Sequence, residues 1–260
     1  NSVARKIRGV KTPTAGSWAS GGTMGTARYI GGTAGTLTSA LFFGGNPSKD
    51  EVESYDGTTW TEVADINTAR GGFGGCGASN TSALYVSHHP AGIVEQWDGS
   101  SWTEIADVNT ARSSSRACGT VSAAIFVAGY QGQALSEQWN GTSWTEVADL
   151  STARWDHGIA GTSTAAIVFG GETPTLTVNT EEWNGTGWTE VGNLLNGVAT
   201  GGFSGISTAA LCISGAENGA AADVQEWDGS SWAETTAIPT AKKHTRAAGT
   251  TAGTITMGGN

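Results

Sequence analysis

The residues best equipped for chemistry in this chain recur at fixed intervals. Arg28, Arg70, Arg112 and Arg154 stand 42 residues apart, and Lys242 continues the series after a break at Val198. At equivalent places around an axis they would form a cationic circle able to hold an anion. Each of the four arginines, however, has a carboxylate in its own unit: Glu53, Glu95, Glu137 and Glu181. Where Val198 replaces Arg the matching residue is Gln225, and where Lys242 replaces it the match is Lys11. Both partners change together. A partly buried Arg without its carboxylate is costly, whereas losing both costs little, so matched change points to structural ion pairs.

The remaining reactive side chains lie outside this pattern. His88, His89, His157 and His244 occupy no repeated position, and Trp155 belongs to no register. Asp156 and His157 are of metal-ligand type, but no His-x-x-x-His or equivalent spacing accompanies them, so no metal and no cofactor is expected. Cys76 and Cys118 share a unit position filled elsewhere by Ala34, Ala160, Ser204 and Ala248, as small-residue packing would have it. With Cys212 they make an odd number and no Cys-x-x-Cys pair. The sequons at Asn80, Asn140 and Asn184 need no glycan to explain them, because at the last two Asn-Gly is already required by a turn.

An internal repeat positions these residues. The segments Trp60-Thr-Glu-Val-Ala-Asp-Ile-Asn-Thr-Ala-Arg70, Trp102 to Arg112 and Trp144 to Arg154 are near copies, with weaker copies starting at Trp18, Trp188 and Trp232. The anchoring tryptophans advance by 42, 42, 42, 44 and 44 residues, giving six units. Five residues before each anchor stands a second aromatic, Tyr55, Trp97, Trp139, Trp183 or Trp227, followed by Asp-Gly or Asn-Gly; the first unit has Pro13 there. These dipeptides tolerate the positive φ of a type I′ hairpin. Seven residues after each Arg position comes a glycine, Gly35, Gly77, Gly119, Gly161, Gly205 or Gly249, and then a short apolar run such as Ala123 to Val127. Each unit therefore reads as four short strands, the size of one propeller blade.

The order Gly-Gly, aromatic with Asp/Asn-Gly, then Trp resembles the kelch motif over the whole chain. It departs from the usual pattern in the close Trp-Asp-Gly-Ser-Ser-Trp connection, in Ser87-His88 where Gly-Gly is expected, and in Asn196-Gly-Val198 replacing Thr-Ala-Arg. The near-identical units also resemble kelch-like proteins encoded by marine bacteriophages. The expected fold is all-β, a six-bladed β-propeller of four-stranded antiparallel blades in a single domain over residues 1–260. After Lys242 the chain supplies strands one and two only, and before Arg28 strands three and four only. One blade shared between the two ends, two strands from each, would close the ring.

Composition limits the function. With 13 Lys+Arg against 23 Asp+Glu and a net charge of -10, the chain offers no counter-charge to a nucleic acid. No run approaches the length of a membrane-spanning helix, and no membrane insertion is expected. The 40 glycines argue against long helices, and the 11 tryptophans against disorder. The Asp-Gly-Ser-Ser hairpins recur nearly unchanged on one face, as a scaffold would. The opposite face carries varied loops, 46–50, 88–92, 130–133, 172–175 and 217–220, and loops on a rigid frame commonly carry recognition. The candidate contact residues there are Tyr29, Lys49, Phe73, His88, His89, Tyr130, Gln131, Trp155, Asp156, His157, Glu172, Asn218 and His244.

Kelch propellers include the galactose oxidase class, whose copper site takes His and Tyr ligands with a Tyr-Cys pair, and no matching motif is present. Sialidase-type propellers need an arginine triad, and these arginines read as structural. No catalytic residue is expected. The resemblance to phage proteins implies a non-catalytic recognition or structural module of a virion appendage, virion-borne or extracellular. Its partners would be other protein chains of a larger assembly or a cell-surface glycan. The alternative is a multivalent lectin with sugar sites between blades, using Trp, Arg and Glu.

Overall fold

The computed structural model describes residues 16–72, 74–88, 90–130, 133–215 and 221–259, with backbone only at Ser87 and His88. The chain forms a β-propeller of four-stranded antiparallel blades. The first blade contains β1 (Gly32–Thr36), β2 (Ser39–Phe43), β3 (Val52–Tyr55) and β4 (Trp60–Val63). The second contains β5 (Gly75–Ser79), β6 (Ser82–His88), β7 (Ala91–Trp97) and β8 (Trp102–Ile105). The third contains β9 (Arg116–Thr120), β10 (Ala123–Gly129), β11 (Gln133–Trp139) and β12 (Trp144–Val147). The fourth contains β13 (Gly158–Gly161), β14 (Ala166–Phe169), β15 (Thr180–Trp183) and β16 (Trp188–Glu190). The fifth contains β17 (Gly202–Ile206), β18 (Ala209–Ile213), β19 (Val224–Trp227) and β20 (Trp232–Thr235). Then follows a two-stranded sheet, β21 (Arg246–Thr250) and β22 (Gly253–Met257).

The first strand of each sheet lies against the first strand of the next. The sequence runs β1, β5, β9, β13, β17 and β21, and β21 returns to β1. These strands enclose an axial channel of about 130 Å³. The expected fourth strand at Trp18 is not formed, since residues 16–28 contain no strand. Elsewhere Trp is followed by alternating β-formers such as Thr-Glu-Val; here it is followed by Ala-Ser-Gly-Gly, which packs poorly on a pleated surface. The expected third strand, with Lys11 and Pro13, lies outside the described residues.

Why all six units keep the glycine seven residues after the Arg position is visible in the first hairpins. At Gly119 φ is +119°, and a Cβ there would lie 2.3 Å from the Ala123 carbonyl oxygen. The same steric exclusion holds at the five equivalent glycines. The other hairpins depart from expectation. They are not type I′ turns, because only the glycine has positive φ. Instead the side chain before it closes the loop: Asp98 Oδ1 accepts the Ser100 and Ser101 amides at 2.8 and 2.9 Å, as Asn140 Oδ1 does from Thr142 and Ser143.

The paired aromatics face each other across the outer hairpin and fill the spaces between sheets. Trp139 and Trp144 are in register with ring centroids 5.4 Å apart, and Trp97 and Trp102 are 5.5 Å apart. Burial of such rings is the main apolar term joining neighbouring blades. The indole N–H groups of the third-blade pair are satisfied, whereas Trp102 Nε1 is buried without a hydrogen-bond partner among the described residues. Trp139 Nε1 donates to the Val121 carbonyl of its own blade at 2.8 Å, and Trp144 Nε1 to Ala106 of the preceding blade at 3.1 Å.

The four Arg–Glu pairs form within their blades and are buried. Arg28 meets Glu53 at 3.2 Å, Arg112 meets Glu137 at 2.5 Å, Arg154 meets Glu181 at 2.6 Å, and Arg70 pairs with Glu95. The second carboxylate oxygen accepts a backbone amide from the connection that enters the blade: Gly25, Asn67, Asn109 and Ser151, each at 2.7 Å. In the fifth blade Gln225 Oε1 accepts the Leu195 amide at 2.8 Å, so the neutral variant keeps this bond while Val198 removes the cation. The guanidiniums also bond backbone carbonyls, as Arg112 does at Phe126 and Ala128, and lie over an aromatic ring at Phe42, Tyr85 and Phe126.

Glu137→Ala is expected to destabilise the protein by about 3 to 5 kcal/mol by stranding a buried guanidinium. The double change Arg112→Val with Glu137→Gln, which copies the fifth blade, should recover most of that loss. Urea denaturation of the three proteins decides, and a double variant weaker than the single one would refute the pairing.

Candidate functional site

The connection entering each blade and the loop between its second and third strands share one face. Isolated bridges join them at Tyr29 with Asn46, Trp155 with Glu172, and Ala221 with Lys242. On this face the backbone takes an unusual form. Two residues beyond five of the six Arg positions the chain adopts positive φ: 54° at Ile30, Ser114 and Asp156, and 57° at Thr200 and His244. Neighbouring entries are tied by amide hydrogen bonds around the axis. Gly72 donates to Ile30, Asp156 to Ser114 and Thr200 to Asp156, each at 3.0 Å. β-Branched residues such as Ile30 and Thr200 rarely adopt this conformation, which costs of order 1–3 kcal/mol, so these bonds hold a local strain.

Two groups of candidate side chains are assembled on this frame. Between the third and fourth blades, Tyr130 stands edge-on to Trp155 with ring centroids 5.6 Å apart, and Trp155 Nε1 donates to Glu172 Oε2 at 3.1 Å. Tyr130 is 52% exposed and Trp155 half-buried, so an aromatic pair fixed by a carboxylate is open to solvent. At the junction of the first blade with the two-stranded sheet, Tyr29 stacks on His244 at 5.4 Å, and Asn46 Nδ2 donates to the Tyr29 hydroxyl at 2.9 Å. Lys49, in the same loop as Asn46, pairs with Glu51 at 2.9 Å.

His157 does not present itself to a partner as the sequence reading expects. His157 has no exposed surface, because it follows the positive-φ residue inward to the start of β13. Neither of its ring nitrogens has a hydrogen-bond partner among the described residues. Burial, with the Arg116, Arg154 and Arg112 charges adding to it, holds the imidazole well below its ordinary pKa of 6.5. Asp156 is half-buried. Burial raises its pKa, against the opposing pull of Arg116, a Ser114 hydrogen bond, Arg246 and His244. Phe73, His89, Gln131 and Asn218 lie outside the described residues, and of His88 only the backbone, at the end of β6, is described.

Sequence reasoning passed over Arg116 and Arg246. Both are buried at the first positions of β9 and β21, where the other four inner strands are entered through Gly32, Gly74, Gly158 and Gly202. Two arginines at a position otherwise given to glycine were the available signal. The thiols offer no nucleophile: all three are buried and free, and burial pushes Cys76 up to about 12 and raises Cys118 and Cys212 as well. Among the described residues no group of three or more His, Cys, Asp or Glu is placed to hold a metal ion, and no helix is long and apolar enough to cross a membrane.

The chain forms a β-propeller that carries an aromatic cluster on its loop face. No protein-family model matches the chain, and no curated protein matches it.

The buried imidazole has a consequence in acid. The unfolded chain takes up a proton at His157 that the folded protein refuses, so this contribution is present above about pH 6.5 and is lost as the pH falls below it. Between pH 7.5 and 5.0 the loss is expected to reach about 2 kcal/mol. His157→Asn should remove that part of the acid slope in urea denaturation, whereas an unchanged slope would show that the histidine titrates alike in both states.

Proposed function

We propose that the chain is a non-catalytic recognition or structural module that works through its varied loop face. The observation carrying this is the Tyr130, Trp155 and Glu172 cluster: two aromatic rings in contact, one bonded to a carboxylate, open to solvent, beside a connection whose backbone is hydrogen-bonded to its neighbours at Ser114 and Thr200. Pre-organised aromatic rings bind at low entropic cost, whether to a protein surface or to the apolar face of a sugar. The likeness to kelch repeats and to phage-encoded kelch-like chains supports a virion appendage, a tail-fibre or receptor-binding component, as the setting. Its partners are then neighbouring chains of the assembly or a cell-surface glycan.

The six-bladed reading is part of this proposal. In it the chain preceding Arg28 stands where the outer part of a sixth blade would, without forming a strand at residues 16–28. Trp18 Nε1 donates to the Thr236 carbonyl at 2.9 Å, in the register that Trp144 uses toward Ala106 in the preceding blade. Trp18 also packs on the cluster of Leu211, Ile213, Val224 and Ile238.

The lectin alternative with sites between blades is disfavoured by burial. Trp97, Trp139, Trp183 and Trp227 have their rings enclosed by neighbouring sheets and their indole N–H groups already bonded to carbonyls.

Trp155→Ala and Tyr130→Ala should each weaken binding to the partner at least tenfold with little change in melting temperature. Glycan arrays and binding to purified virions supply the measurement. Undiminished binding by the double variant would overturn the rim site, and loss only on changing interblade tryptophans would favour the lectin. Deleting residues 1–22 should unfold the protein, and a truncated form melting with its parent would refute closure by the N-terminal chain.

A further inference from the structure

The residue directly after each Arg position is aromatic in two units only, Tyr29 and Trp155; the others have Gly71, Ser113, Ala199 and Lys243. The inner strands that follow those four form without a ring there, so the fold does not require one. Tyr29 leads into β1 and Trp155 into β13. In the circle β1, β5, β9, β13, β17 and β21 these strands lie three steps apart in either direction. The two rings therefore stand on the same loop face, half a turn from each other. With neighbouring sheets roughly 10 Å apart, positions on opposite sheets of such a circle are separated by on the order of 20 Å.

The two surroundings are built alike. Each ring residue bridges the residue after the Gly-Gly of its own blade, and the Asn46 and Glu172 amides donate to the Tyr29 and Trp155 carbonyls at 2.7 and 3.0 Å. The side chain of that loop residue then holds the ring: Asn46 Nδ2 donates to the Tyr29 hydroxyl at 2.9 Å, and Glu172 Oε2 accepts from Trp155 Nε1 at 3.1 Å. A second ring comes from the preceding sheet in both, His244 stacked at 5.4 Å and Tyr130 edge-on at 5.6 Å. Tyr29 and Trp155 both keep part of their surface open, unlike the enclosed tryptophans between blades.

Charge separates the two places where geometry does not. One carries the Glu172 carboxylate, the other the Asn46 amide beside an imidazole. A charged ligand group would gain at one and not at the other, and a net charge of -10 opposes a polyanion. An uncharged pyranose suits both, because its C–H face packs on a ring while its hydroxyls bond amide or carboxylate oxygens. We propose that the loop face grips one neutral polysaccharide chain at two points, Tyr29 and Trp155, on opposite sides of the axis. This rests on the reading of the loop face as a recognition surface and adds the class and valency of its ligand. Once the first contact has formed the second is intramolecular, so a saccharide long enough to reach both binds far more tightly than a fragment.

The probes are neutral dextran, mannan and galactan, each with a size-graded series of its own fragments, tested on the whole chain. For one of them affinity is expected to step up at least a hundredfold once the fragment spans both rings. Tyr29→Ser and Trp155→Ser, which copy the third blade at Ser113, should each abolish the step and leave the weak binding of short fragments. A step that persists in either variant would overturn the proposal. So would the lack of any step, or of any binding, in the unsubstituted protein, and this arm decides should a variant fail to fold. The underlying reading fails separately. Binding to purified virions that is weakened by Trp155→Ser while no polysaccharide binds keeps the recognition surface and removes the saccharide, whereas polysaccharide binding lost with Trp155 and indifferent to Tyr29 keeps the surface and removes the two-point grip.

Discussion

Every blade depends on anchoring one stretch of chain: the segment that leaves the outer strand of one sheet and dives to the inner strand of the next. This segment makes no ladder of its own, so its amides need other partners near the core. The Glu of the third strand supplies them. One oxygen takes the amide of Gly25, Asn67, Asn109 or Ser151, and the other takes the guanidinium three or so residues later. The arginine in turn satisfies carbonyls at the end of the second strand. A single carboxylate thereby ties the incoming connection to the middle of its own sheet. The fifth blade separates the two roles. With Gln225 and Val198 the amide bond survives without any charge, so the bond to the connection is the indispensable part and the cation is a companion to the carboxylate.

This arrangement explains which parts could be read from residues alone. The Arg–Glu pairs were legible because the repeats act as internal substitutions: 28 with 53 and 70 with 95 keep both charges, whereas 198 with 225 loses both. Strand positions were legible from the spacing of Trp, Gly and apolar runs, since steric exclusion at Gly119 and its equivalents leaves no other residue. The hairpin type was misjudged because Asp-Gly fits both a type I′ turn and a loop closed by the Asp side chain, and Ser or Thr two residues on selects the second. The N-terminal strand at Trp18 was misjudged because the Trp repeats while its neighbours do not.

The candidate site was less legible for a different reason. Ile30, Ser114, Asp156, Thr200 and His244 share a positive φ yet no side-chain property, so nothing in their identities announces the backbone ring. The ring is specified by geometry elsewhere, by the anchored segment on one side and the inner strand on the other. Trp155 and Tyr130 could be singled out as departures from the repeat, but the carboxylate that fixes them, Glu172, comes from a different loop. His157 was visible as a departure too, and its burial was not, because whether a residue beside a bend points outward depends on φ at Asp156.

The same reasoning bears on how such a scaffold diversifies. Amide bonds from Gly72 to Ile30, Asp156 to Ser114 and Thr200 to Asp156 involve only main chain, so side chains at these positions are free to vary without loosening the ring. The loops above it inherit a fixed base, which favours specificity through side-chain change rather than through altered backbone. The inner positions are not free in this way. An arginine in place of glycine at the start of an inner strand carries a charge to another blade: Arg116 of the third blade bonds the Gly201 carbonyl of the fifth, and Arg246 of the two-stranded sheet bonds the Gly31 carbonyl of the first. Such a contact belongs to the assembled ring and to no single repeat, which is why reading the units one at a time passes over it.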